Sequence, residues 1–381
     1  MIDTKKLYLK TVCYKIILCL VVLSVLLCSC KSMAKESYIK IGVNIELTGR
    51  LAQYGRSCQE GIELALSEIN ERGGVGGKKI KLVYCDNRSE NSDAAMSMLR
   101  LRDLEKAVAV IGPTTSGGVK SALSVGGAVP IITPSATANE LGRGEIFRIC
   151  YTDSVQGEVM GEYAYKSGYK KAAMIIDSAS DYSRGTSQSF IKSFKALGGE
   201  ITDICYYTAK DSDFSVILTK IANKSPSAIY LPGYYSEAAA IIRQARQIGI
   251  TATFLSGDAF DSPELAELCG GTDNLEGITY TNHMNFDSER EKQFSDSFTS
   301  LYGHQPQAYS ALGYDALYFI VSGLKSIESR EFKTLSESLY NIKDFSGITG
   351  SFSIDKKGNA EKKVVITRIE NGEKRSVVFK G

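Results

Sequence analysis

Twice along this chain, short β-branched runs alternate with helical stretches, and the second series starts afresh near residue 172. In the first series, residues 38–47 read as a largely buried strand. A polar, Gly-containing loop is expected at 48–56. Ile62, Ala65, Leu66 and Ile69 then mark the apolar face of a helix, which Gly73-Gly74 stops. Further strands are predicted at 79–84, 107–111 and 129–133, with helices at 94–105 and 119–126. The second series predicts strands at 172–177, 200–207, 228–231 and 253–256. Helices are predicted between them at 185–197, 214–223 and 236–248. Alternation without hairpin signals predicts an α/β fold with parallel, doubly wound sheets covered by helices on both faces. Two such sheets imply two lobes. Ligands of open α/β sheets bind outside the carboxyl ends of the strands, so two facing lobes would form a cleft from those loops.

The chain has 381 residues, enough for two domains of ordinary size with a remainder. The remainder lies at the front. Lys5, Lys6, Lys10 and Lys15 precede an apolar run from Ile16 to Leu27. At about twelve residues this run is short for a membrane-spanning helix of about twenty. A basic start and a short apolar stretch read as an export signal. The run ends in Leu27-Cys28-Ser29-Cys30, with an aliphatic residue three before Cys30 and a small one just before it, as in a bacterial lipobox. Cleavage there would leave Cys30 as a lipidated N-terminus. Cys28 is the poorer acceptor because bulky Leu27 precedes it. An ordinary signal peptide is the plainer alternative.

Removing residues 1–29 leaves 41 basic and 42 acidic residues, so the +2 of the full chain falls to about −1. That balance lacks the concentrated basic surface that nucleic-acid binding requires. Beyond Cys30, the cysteines are Cys58, Cys85, Cys150, Cys205 and Cys269. Five widely spaced cysteines without a CxxC pair predict buried thiols, not a disulfide framework or a zinc site. With two histidines, His283 and His304, both expected at the surface or a boundary, no chemistry based on several imidazoles is predicted. The run Gly73–Lys79 lacks the GxxxxGK spacing and follows a helix, so it reads as a helix stop and turn. GxSxG, GxGxxG and HExxH patterns are absent. No cofactor, metal or catalytic residue is predicted.

The informative residues lie where strands end. After 107–111 comes Gly112-Pro113-Thr114-Thr115-Ser116-Gly117-Gly118, with Ser116 placed to cap the next helix. Free backbone N–H groups and the helix dipole make such an end an anion site, although a structural cap alone is the simpler reading. After 129–133 comes Pro134-Ser135-Ala136-Thr137, which offers hydroxyls and backbone groups at the same edge. After 253–256 comes Gly257-Asp258, a carboxylate at a strand end. Tyr54, Tyr182 and Tyr234 also fall on strand-end loops. Together these fit a zwitterion: a carboxylate at Ser116, an ammonium at Asp258, and phenol rings around the remainder.

From about Tyr38 nearly to the C-terminus, the chain resembles the type I periplasmic binding proteins of branched-chain amino acid ABC importers. The landmarks are Leu47-Thr48-Gly49, Gln53-Tyr54-Gly55, Gly73-Gly74-Val75-Gly76-Gly77-Lys78, Gly112–Ser116 and Thr133-Pro134-Ser135-Ala136-Thr137. Asp181-Tyr182, Gly233-Tyr234, Arg243-Gln244-Ala245 and Tyr309–Ala316 follow in order. The resemblance implies two discontinuous lobes joined by three crossovers, near 150–154, 279–285 and 345–350. With the leader read above, residues 1–29 are expected to be a lipoprotein signal peptide and 30–37 a tether. Lobe 1 is 38–151 with 281–347, and lobe 2 is 152–280 with 348–381. The resemblance makes Ser116 and Thr137 carboxylate binders, Ser135 a backbone partner of the ligand, Ala136 beside it a ligand-binding residue, and Asp258 the ammonium acceptor. Tyr54, Tyr182 and Tyr234 become pocket walls, with Tyr309 lining the side-chain pocket.

Two departures qualify the ligand. Asp258 stands where leucine-type binders carry Glu, so an ammonium would sit deeper or be reached through water. Thr114 and Thr115 replace more apolar residues, which predicts a more polar pocket. The expected partners are a small amino acid, an ABC permease with its ATPase, and a membrane reached only through the lipid anchor. The protein is expected to be exported and monomeric. A ligand-sensing receptor of the same fold, or a binder of amides or aromatic acids, remains the alternative.

Overall fold

A computed structural model describes residues 38–379, apart from 143 and 286–288, together with Tyr8, Tyr14 and Lys15. Cys30 and the rest of the expected leader lie outside the described residues. From Ile39 onward the chain forms one packed unit. Its first sheet contains β1 (Ile39–Ile45), β2 (Ile80–Asp86), β3 (Ala109–Ile111), β4 (Ile131–Thr133) and β5 (Ile146–Arg148). These run in the order β2-β1-β3-β4-β5, and every pairing is parallel. The second sheet begins with β6 (Lys171–Asp177), β7 (Glu200–Tyr207), β8 (Ala228–Tyr230), β9 (Thr253–Ser256) and β10 (Thr279–Asn282). These also pair in parallel. Ile41, Val43, Ile45, Ala109 and Ile111 are fully buried, as expected of strands covered on both faces.

The C-terminal region departs from the expected parallel alternation. β11 (Phe345–Gly347), β12 (Gly350–Ile354) and β13 (Ala360–Glu361) form a small antiparallel sheet. β14 (Val365–Glu370) and β15 (Glu373–Val378) then add to the second sheet as an antiparallel hairpin beside β10. Its two-residue turn is Asn371-Gly372, both at positive φ (54° and 74°). Asn-Gly is the pair that a type I′ hairpin turn favours, so the local signal was present in the sequence. Phe352 and Ile354 pack in the first lobe's core, beyond the expected boundary at 347. The chain enters the second sheet at Val365.

The helix Ala52–Glu71 begins well before the expected Ile62, inside the segment read as a loop. Tyr54, Cys58, Ile62, Ala65 and Ile69 are buried along it at helical spacing. It lies against the helix Ala308–Glu328 through two glycines. A Cβ on Gly61 would fall 1.7 Å from the Ser310 carbonyl oxygen, and one on Gly313 would fall 2.3 Å from that of Cys58. This close approach places Tyr54 and Tyr309 on adjacent first turns. Gly73 and Gly74 stop the first helix at φ 90° and 74°, and Gly76-Gly77 turns the chain between Val75 and Lys78. The glycine run is thus a stop and a tight turn. The five cysteines beyond the leader are all buried and unpaired, as expected of small core residues. Among the described residues, no helix is long and apolar enough to cross a membrane.

Candidate functional site

The first wall comes from the loops after β3 and β4. Thr115, not Ser116, caps the helix Ser116–Ser124: its Oγ1 accepts from the Gly118 N–H at 3.3 Å. Ser116 is the first helical residue, and its Oγ accepts from the Thr137 and Ala138 N–H groups at 3.2 and 3.1 Å. One hydroxyl therefore ties the two strand-end loops together, and its hydrogen is left to donate. The Ser135 hydroxyl donates to the Thr114 carbonyl oxygen at 2.8 Å. The expected extra polarity of Thr114 and Thr115 is absorbed by Glu46, at the end of β1. Thr115 Oγ1 donates to Glu46 Oε1 at 3.1 Å, the Thr114 N–H donates to Oε2 at 3.2 Å, and the Thr114 hydroxyl also bonds Oε2. Glu46 is buried, and burial pushes its carboxyl above the ordinary range despite these donors.

Arg148, fully buried at the end of β5, supports the second loop from behind. Its Nη1 donates to the Ala138 carbonyl oxygen at 2.9 Å and lies 3.5 Å from that of Ala136. Ala136 accordingly belongs to the loop's framework and is not among the residues that line the cavity. Asp153 closes the same loop: its N–H donates to the Thr137 carbonyl oxygen at 2.8 Å. Burial pushes the Asp153 carboxyl up to about 8.

The second wall comes from the other lobe. Ser180 caps the helix Asp181–Ala196, which places Tyr182 on its first turn. Tyr234 directly precedes the helix Tyr235–Gln247. The rings of Tyr182 and Tyr234 stack at 5.7 Å. Tyr54, expected on a loop, instead projects from the first turn of its helix and stacks on Tyr309 at 4.4 Å. The Tyr182 hydroxyl is buried and has no partner among the described residues. It fits only because residue 257 is glycine, whose Cβ would fall 2.2 Å from that oxygen.

Asp258 opens a short 3₁₀ turn after β9 and is buried. Its N–H donates to Gln156 Oε1 at 2.9 Å. Its Oδ2 lies 3.0 Å from His283 Nε2. His283 is 1% exposed, contrary to the expected surface or boundary position, because it directly follows β10 and packs against Asp258 and the Tyr151 ring. Burial pushes its imidazole below the ordinary value, so it is neutral at neutral pH. His304 is exposed, as expected.

Tyr54, Thr114, Thr115, Ser116, Ser135, Thr137, Tyr182, Tyr234, Asp258, Ala259 and Tyr309 line a small, nearly closed cavity, with about 10 Å³ open to a water-sized sphere. Eight of these are residues that the sequence singled out for the site. Thr114 and Thr115 had been marked only for polarity, and Ala259 had not been marked. The lobes are shut around it. Tyr54 Oη donates to the Ala259 carbonyl oxygen at 2.6 Å and accepts from the Tyr235 N–H at 3.2 Å. Tyr235 Oη donates to the Arg50 carbonyl oxygen at 2.9 Å, and Arg50 pairs with Glu237 at 3.4 Å. Glu46, Arg148, Tyr235 and His283 carried no local sequence signal beyond their places at strand or helix ends.

Two lobes closed over a small polar cavity define a solute-binding protein. The periplasmic binding protein family model matches residues 38–374, and the chain belongs to that family. It is a type I periplasmic binding protein of the branched-chain amino acid transporter family, a family of substrate-binding proteins and not of enzymes. The LivJ substrate-binding protein of Streptococcus pneumoniae, solved in complex with isoleucine, is 35% identical with a TM-score of 0.85, covering 91% of this chain and 100% of that one. Leu/Ile/Val-binding protein homolog 1 of Brucella suis is 29% identical, covering 84% of this chain and 87% of that protein. A solute-binding protein of R. palustris in complex with benzoate shares the fold at 22% identity and a TM-score of 0.81, covering 90% and 96%.

Proposed function

We propose that this protein is an exported lipoprotein, anchored through Cys30, that captures a small neutral α-amino acid between its lobes and delivers it to an ABC permease and its ATPase. The opposition of two chemistries across one closed cavity carries this reading. On one side the Ser116 hydroxyl and the start of its helix, with Thr137, supply donors for a carboxylate. On the other side the buried Asp258 supplies an acceptor for an ammonium. Tyr54, Tyr182, Tyr234 and Tyr309 cover the ligand between them, and Ser135 supports the carboxylate loop. Similarity to a LivJ protein solved with isoleucine supports a branched-chain or comparable side chain.

Ligand reaches the first lobe through Ser116 and Thr137, and the second lobe then closes by a hinge motion through Asp258, Tyr182 and Tyr234. Closure removes water from both ligand charges, so each needs its partner. The closed form is what the permease would recognise. The protein acts as a monomer held to the membrane by its lipid alone. The four tyrosines also support a second reading, an aromatic acid, but a ligand without an ammonium would leave Asp258 unmatched. Transport separates from sensing by whether deleting the gene abolishes ligand uptake.

Thermal-shift screening against the amino acids, small amides and aromatic acids tests the assignment. A ligand at about 100 times its Kd adds about 2.7 kcal/mol of stability. Stabilisation by aromatic acids alone would overturn the amino-acid reading.

A further inference from the structure

The acceptor assigned to the ammonium is held by a residue from a different part of the chain. His283 Nε2 meets Asp258 Oδ2 at 3.0 Å, with His283 1% and Asp258 3% exposed. His283 is itself fixed from behind. Its ring stacks on Tyr151 at 4.3 Å and 18°. The Tyr151 hydroxyl lies 3.1 Å from the Asn282 carbonyl oxygen and 2.9 Å from that of Lys363. Tyr151 thus stands where three connecting segments meet: the one after β5, the one after β10 and the one before β14.

We infer that His283 is the positioning residue for the ligand ammonium: as a neutral N–H donor it orients Asp258 and keeps the pair at a single negative charge. This rests on the reading of Asp258 as ammonium acceptor. A neutral imidazole donating from Nε2 leaves the pair with net charge −1, matched to one ammonium. Nδ1 has no partner among the described residues, in keeping with a nitrogen that carries no proton. A protonated imidazole would cancel the carboxylate's charge and weaken capture of a cation. Among the described residues, the charged and titratable groups facing His283 are Asp258 and Asp261 from the turn after β9, Tyr151 from the first connection, and Lys362 from the third. Asp261 is already committed to Lys374 at 2.6 Å. Lys362 Nζ donates to Thr349 Oγ1 at 2.8 Å. Neither therefore replaces His283 at Asp258.

The test is calorimetric titration of the full chain with the neutral L-α-amino acids. The tightest binder is then compared with the same acid bearing hydrogen in place of its ammonium. His283→Phe retains a ring against Tyr151 and removes the donor. It is expected to lose about tenfold or more in affinity for the amino acid while changing little for the des-amino acid. His283→Gln, which restores an N–H, is expected to recover most of the loss. As a second readout, wild-type affinity for the amino acid falls on acidification as His283 takes up a proton, at a pH below the ordinary imidazole range because burial lowers it, and the Gln variant lacks that limb. Equal losses for both ligands, no loss, or an identical acid limb in wild type and His283→Gln would overturn the inference. Should His283→Phe fail to fold, the pH comparison with His283→Gln decides. Asp258→Asn separates the layers: undiminished amino-acid affinity there removes the ammonium assignment itself, whereas a large loss there with no effect at His283 removes the positioning role alone.

Discussion

The Tyr54 hydroxyl donates to the Ala259 carbonyl oxygen at 2.6 Å, joining the first lobe to the second directly over the cavity. The same oxygen accepts from the Tyr235 N–H, so a single phenol latches two loops of the opposite lobe. Tyr54→Phe keeps the stack on Tyr309 and removes the latch. We expect ligand affinity to fall by about 1 kcal/mol, roughly fivefold. Stopped-flow measurement should place the change in dissociation, because the latch forms after the ligand has entered. A change confined to association would refute the latch.

The two charge partners are expected to differ in weight. Asp258→Ala removes the carboxylate assigned to the ammonium and should cost about 2–5 kcal/mol in binding. Ser116→Ala removes one donor but leaves backbone N–H groups in place, and it frees the Thr137 and Ala138 N–H groups that its Oγ now accepts. A loss of about 1–3 kcal/mol is expected there. Titration calorimetry of both variants with one amino acid checks the order, and a larger loss at Ser116 would reverse the hierarchy.

Asp153 gives a pH dependence of stability. Burial raises its carboxyl from an ordinary 3.8 to about 8 in the folded state. A carboxyl raised on folding favours the folded state most below its unfolded value, and that advantage declines as pH rises toward 8. Asp153→Asn cannot ionise. Its melting temperature relative to wild type should therefore climb between about pH 4 and pH 8, and level off above that. Parallel melting curves across this range would show that Asp153 titrates normally.

Membrane attachment rests on Cys30 alone in our reading. Cys30→Ala should move the protein from the membrane fraction to the soluble fraction and leave ligand affinity unchanged. Retention of the variant at the membrane would point to another anchor.

Much of the site could be read locally. Ser116, Ser135, Thr137, Tyr182, Tyr234 and Asp258 each follow a strand whose apolar run is visible in the sequence, and parallel sheets gather such loops at one edge. Tyr54 was legible as a site residue but not as a helical one, because nothing caps its helix by a side chain and its first turns contain polar residues and glycine. The hairpin at Asn371-Gly372 carried its own turn signal, yet the preceding βα alternation favoured continuing the parallel pattern.

By itself the sequence determined the two α/β series, the strand ends that bear the polar loops, and a charge near neutrality. Those follow from periodicity and composition, which act over a few neighbouring residues. The tertiary structure alone decided that His283 stands behind Asp258, 25 residues away in sequence. It also decided that Glu46 takes up the hydroxyls of Thr114 and Thr115, 68 and 69 residues on. A buried polar group is satisfied by whatever partner the packing brings within reach, and that partner is set by how sheets and loops meet, not by the residues beside it in the chain.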